Sequence, residues 1–166
     1  MNATRPRAAL PRGFVFWHRW LQVSCLLFAL QALSWCWTGS FDPFGWWNRQ
    51  AARGFLAATL SSGLAECLAP RELAAFQRFW VGLVGASAAA YFLLLGLLVR
   101  HALHPGASWA WWTAGGSLLL WFIADSAVSF RAGADFNVWL VNLPCLAVNM
   151  VPLAALRAAC CTRQHP

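Results

Sequence analysis

The chain has 166 residues, 60% of them apolar and only 10% charged, with twelve Trp and a formal charge of +7. Soluble domains carry about 25% charged and about 45–50% apolar residues, so these totals exclude an ordinary soluble globule and an acidic disordered chain. All twelve basic residues are Arg, scattered between apolar runs, and no basic face with interleaved aromatics marks a nucleic-acid binder.

A helix that crosses a membrane needs about 20 mostly apolar residues, at about 1.5 Å each against a core of roughly 30 Å. The first stretch that meets this runs from Phe14 to Trp37, with His18 and Arg19 in its opening turns. Its Arg-rich start fits a signal peptide, but the apolar run is too long and too rich in Trp, and no A-x-A site follows. It is read as a retained helix.

The segment 38–78 is an outer loop with structure of its own. Asp42-Pro43 reads as an N-cap and first helical position. Phe44, Trp47, Ala51, Phe55 and Ala58 then recur at helical spacing, with Arg49, Gln50 and Arg53 on the other side. This pattern predicts an amphipathic helix lying on the membrane surface or capping the bundle, with Phe44, Trp46, Trp47 and Phe55 as its lipid or partner surface. Pro70 starts a helix that runs on into the second span.

The second span, Phe79 to Val99, has no charge and is bracketed by Arg78 and Arg100. It carries Gly82, Ala86 and Ala90 at four-residue spacing, with Gly85 and Ala89 beside them. Small residues on one stripe let another helix come close; packing inside the chain's own bundle and a dimer contact both fit. The third span runs from Ser108 to Val128 and contains Asp125, and the fourth runs from Val138 to Leu156 with Pro144 and Pro152 inside it. Proline removes a backbone donor, and neighbours commonly re-satisfy the freed carbonyl.

Orientation follows from Arg placement. With both termini cytoplasmic, the inner segments carry Arg5, Arg7, Arg12, Arg19, Arg100, Arg157 and Arg163, against Arg49, Arg53, Arg71, Arg78 and Arg131 on longer outer segments. The predicted architecture is therefore an all-α membrane protein forming one domain over residues 1–166. Four transmembrane helices make an up-down bundle of the inner membrane, with the amphipathic helix in the first outer loop.

Asp125 is the only acid inside a span, and intramembrane ionisable groups are functional candidates by default. Counting from a turn centred on Gly133 places Asn142 at the depth of Asp125, and Ser117 opposite Asn149 farther in. Ser126, Ser129 and Asn137 fall nearer the outer mouth. Two readings stay open. Asn and Ser are interhelical hydrogen-bond glue, or Asp125, Ser126, Asn142 and Asn149 line a polar pocket with Trp121 as its wall.

The remaining candidates are weaker. His18, His101 and His104 all fall near the inner surface, but His101-x-x-His104 lacks the further ligands a metal needs. Cys36 and Cys67 both lie on the outer side and form one disulfide if that side is oxidising. Cys25 and Cys145 sit inside spans as small apolar groups, and Cys160-Cys161 is a tail pair open to acylation in a eukaryotic host. No nucleophile–base constellation, phosphate loop, paired carboxylates or zinc signature is present, and the sequence implies no cofactor.

The run Arg78-Phe79-Trp80-Val81-Gly82-Leu83-Val84-Gly85-Ala86, then Trp121-Phe122-Ile123-Ala124-Asp125-Ser126 with Gly133, Asn137 and Asn142, resembles small uncharacterised four-helix bacterial membrane proteins of the DoxX-like kind. The resemblance covers the half of the chain from Arg78 onward. It implies a four-helix bundle in a bacterial membrane and brings no catalytic or binding residue with it. The expected function is that of a non-enzymatic small subunit or helper packed against lipid, another membrane protein or a second copy. The alternative is a handler of a small molecule, lipid or ion through the pocket at Asp125.

Overall fold

The computed structural model describes residues 12–41 and 70–161. Every regular element among them is helical: α1 (Arg12–Thr38), α2 (Pro70–Ala102), α3 (Ser108–Arg131) and α4 (Asp135–Cys161). All four are long and apolar enough to cross a membrane. They extend the expected spans by one to nine residues at most ends, the largest extension being the start of α2 at Pro70. The amphipathic segment predicted after Asp42 lies outside the described residues.

The exterior is what water would not tolerate. Trp37 is 78% exposed, Leu94 67%, Leu120 70% and Trp139 62%, one on each of the four helices. Large apolar patches on a protein surface mark a lipid or protein surround. The buried positions form one cluster through all four helices, including Leu21, Cys25, Phe92, Val99, Leu118, Leu153 and Leu156.

The closest pairing is α1 on α2. A Cβ at Gly85 would lie 2.6 Å from the Ala32 carbonyl oxygen and 3.0 Å from Trp35 Cβ, and one at Gly96 would lie 3.2 Å from Cys25 Cβ. Only glycine admits α1 at that distance. Phe28 stacks on Phe92 with ring centroids 5.0 Å apart. The small-residue stripe therefore divides: Gly85 is buried and Gly82 half-buried beside the Cys36 backbone, whereas Ala86 and Ala90 are exposed. An α-helix advances 100° per residue, so a strict four-residue spacing drifts off the contact face. α1 ends at Gly39, whose φ of 60° is the left-handed cap conformation.

α4 packs on both α1 and α3. Three residues, 132–134, join α3 to α4, with Gly133 at φ 65° and the Ala134 N–H donating to the Ser129 carbonyl at 2.8 Å. At the other end the Gly106 N–H donates to Ala159 O at 3.1 Å, tying the α2–α3 turn to the end of α4.

The two prolines of α4 leave visible traces. Residues Val138–Asn142 form a π turn, closed by the Leu143 N–H on Val138 O, directly before Pro144. A proline ring crowds the carbonyl four residues back, and a wider turn relieves that crowding. Pro152 cannot donate to Val148 O, and the Trp20 indole of α1 donates to it instead, at 3.1 Å. This is the neighbour re-satisfaction expected of a proline in a spanning helix.

Candidate functional site

The α3–α4 turn brings the candidate acid and two amides together. Asp125 and Ser126 sit near the end of α3, one helical turn before Ser129. Asn142 donates from Nδ2 to Asp125 Oδ2 at 2.7 Å and to Ser126 Oγ at 3.2 Å. Asn137 donates to the same Asp125 Oδ2 at 3.0 Å and to Ser129 Oγ at 2.9 Å. Asn142 is 1% exposed, and Ser126 and Ser129 are buried beside it.

The π turn makes this convergence possible. Residues five apart on an α-helix point about 140° away from each other, at 3.6 residues per turn. A π turn closes its hydrogen bond at five residues and so returns Asn137 and Asn142 to nearly one face. Two amides thus share one oxygen of Asp125, Oδ2, while the side chain as a whole stays half-buried.

Asn149 does not belong to this cluster. It lies two helical turns farther along α4, about 10 Å away at 1.5 Å per residue. Its side chain is fully buried and faces α1. The Ser24 hydroxyl donates to Asn149 Oδ1 at 3.0 Å, the Cys25 thiol reaches the same oxygen at 4.0 Å, and Asn149 Nδ2 donates to Cys145 O at 2.8 Å. The expected facing of Ser117 and Asn149 is therefore corrected. Ser117 donates to Ala114 O at 3.0 Å within α3 and accepts from Tyr91 of α2 at 3.3 Å. Hairpin counting assumes α-helical turns throughout, and the π turn takes up an extra residue, so counting past it misreports the neighbour.

Trp121 is half-buried and meets Phe92 of α2 edge-on at 6.4 Å, as part of the apolar core. The Cys36 thiol lies 3.4 Å from Gly82 O, on the α1–α2 contact, while Cys67 lies outside the described residues. So do Phe44, Trp46, Trp47 and Phe55.

Among the described residues no cluster of three metal-ligating side chains occurs, so His18, His101 and His104 form no such group. His18 hydrogen-bonds Val99 O through Nε2 at 2.8 Å and accepts from Gln22 Nε2 at Nδ1, at 3.5 Å. The contributions of Asn137 as second donor, Ser24 as partner of Asn149 and Trp20 as partner of Val148 O are products of tertiary placement. Only the free acceptor at Val148, four residues before Pro152, was signalled in the sequence.

No family model, curated protein or solved structure matches the chain.

Proposed function

We propose that the chain is a multi-pass inner-membrane protein, its four helices running up and down with both termini cytoplasmic, and that it is a non-enzymatic small subunit or helper packing against lipid and a partner polypeptide. One observation carries this reading: the acid and the two buried amides of the spans are hydrogen-bonded within the bundle. Asp125 is taken up by Asn137 and Asn142, and Asn149 by Ser24 and the Cys145 carbonyl. Such bonds join helices in lipid, where no hydrophobic drive brings them together. Exposed apolar side chains on all four helices support the lipid contact. The DoxX-like resemblance from Arg78 onward belongs to the same proposal and contributes only the four-helix architecture.

Native mass spectrometry on the protein extracted from its own membrane tests this. Arrival with a second polypeptide supports the helper role. A reproducible small non-lipid adduct that disappears in Asp125→Asn, with the protein still folded and abundant, overturns it in favour of a handler. On the helper reading Asp125→Asn keeps an acceptor oxygen in place and lowers stability by only about 1 kcal/mol. A tag placed after Arg163 reports cytoplasmic; an external tag overturns the orientation.

A further inference from the structure

At the end of the molecule opposite the Asp125 cluster, a cleft of about 360 Å³ opens between the first turns of α1 and the last turn of α2 with the turn that follows. Its polar lining is Arg19, Arg100, His18, His101, His104 and Gln22, and no carboxylate lines it. Arg19, Arg100, His101 and His104 are exposed. His18 is fixed in the wall by its bond to Val99 O and stacks on Phe14 at 5.5 Å, so Phe14 gives that wall an apolar floor.

The distribution of acids sharpens the picture. The whole sequence has five, at positions 42, 66, 72, 125 and 135. The two whose side chains are described, Asp125 and Asp135, lie at the α3–α4 turn, at the far end of the bundle. Among the described residues the guanidiniums of the cleft thus have no carboxylate to neutralise them. Arg100 and His101 also close the last turn of α2, where the helix dipole favours positive charge.

Trp109 and Trp112, 60% and 62% exposed on the first turns of α3, mark the level of the membrane–water boundary at this end. Farther along α1 and α2 from the cleft, toward the middle of the spans, exposed side chains are apolar, among them Val23, Leu26, Leu94 and Leu97. Cations at headgroup level above an apolar wall fit a phosphate that carries acyl chains.

We propose that this cleft binds the phosphate of an anionic phospholipid headgroup, held by Arg19 and Arg100, with the acyl chains on the apolar α1–α2 face. Arginine is the side chain suited to phosphate because its planar fork presents paired donors, and basic clefts between spanning helices on the cytoplasmic side take anionic headgroups. This rests on the membrane orientation proposed above.

The test uses the full-length protein purified in detergent and titrated with phosphatidylglycerol, phosphatidylcholine or inorganic phosphate, with bound species counted by native mass spectrometry. Expected is retention of phosphatidylglycerol in clear preference to phosphatidylcholine. In the double variant Arg19→Gln/Arg100→Gln that retention falls by about tenfold or more, while Arg131→Gln, an exposed arginine at the other end, leaves it unchanged. Equal retention of the two lipids by the native chain overturns the proposal, and so does undiminished retention by the double variant. Inorganic phosphate that displaces the lipid one for one reassigns the cleft to a free anion and overturns the lipid assignment. Retention in detergent does not depend on orientation: a cytoplasmic tag without lipid preference sinks this inference alone, and an external tag sinks the orientation alone.

Discussion

The α1–α2 pair and the α3–α4 pair solve one problem in two ways. In lipid, helices gain nothing from hiding apolar surface, so they associate through close packing or through hydrogen bonds. α1 and α2 rely chiefly on packing, beside the bonds of His18 to Val99 O and of the Cys36 thiol to Gly82 O. Gly85 and Gly96 bring the backbones together, and Phe28 and Phe92 stack. α3 and α4 use hydrogen bonds, with one carboxylate and two hydroxyls taken up by two amides beside a three-residue turn. The difference matches the connections. A short turn delivers its flanking polar groups to each other at a smaller loop-closure cost, whereas α1 and α2 are joined through a longer segment and meet by shape.

This comparison can be broken at either pair. The largest effect is expected from Gly85→Ala. Its Cβ would press on the Ala32 carbonyl and force α1 outward, at about 2–3 kcal/mol, read as a fall in thermal unfolding temperature in detergent. Ala86→Leu, one residue on but exposed, is the matched control and changes little. Next is Asn142→Leu, which removes the shorter of the two bonds to Asp125 and the bond to Ser126. A loss of about 1–2 kcal/mol is expected, and chymotryptic cleavage at the α3–α4 turn should rise with it. If Gly85→Ala is neutral while Asn142→Leu unfolds the protein, both pairs depend on polar bonds and the contrast fails. The smallest effect is expected from Trp20→Phe, which keeps an aromatic side chain, smaller than indole, and removes the N–H. Membrane hydrogen bonds average about 0.6 kcal/mol, and the same unfolding assay would show a shift near its resolution.

Much of this is legible in the sequence. The four spans appear as apolar runs between Arg and turn residues, because lipid demands both length and apolarity. The approach of Asp125 and Asn142 followed from counting outward from Gly133, since a tight turn fixes facing positions for a turn or two. Counting failed at Asn149 because Pro144 signals a disturbed turn without saying that it takes up an extra residue; Val, Trp, Leu and Asn at 138–142 are equally at home in an α-helix. The fate of the small-residue stripe was also hidden. Gly85 and Ala86 are neighbours in sequence, and only the position of α1 decides that one is buried and the other exposed.

The π turn has a consequence for how α4 can change over time. It stores one surplus residue, and an ordinary α-helix begins again at Leu143. A one-residue deletion within 138–142 would let these turns rewind to α and put Asn137 four residues from Asn142, about 40° around the axis, so both amides would still face Asp125 while Pro152, Leu153 and Asn149 kept their places. The chain can therefore lose one residue at this point with the hold on Asp125 and the core written in the half after Leu143 both left intact.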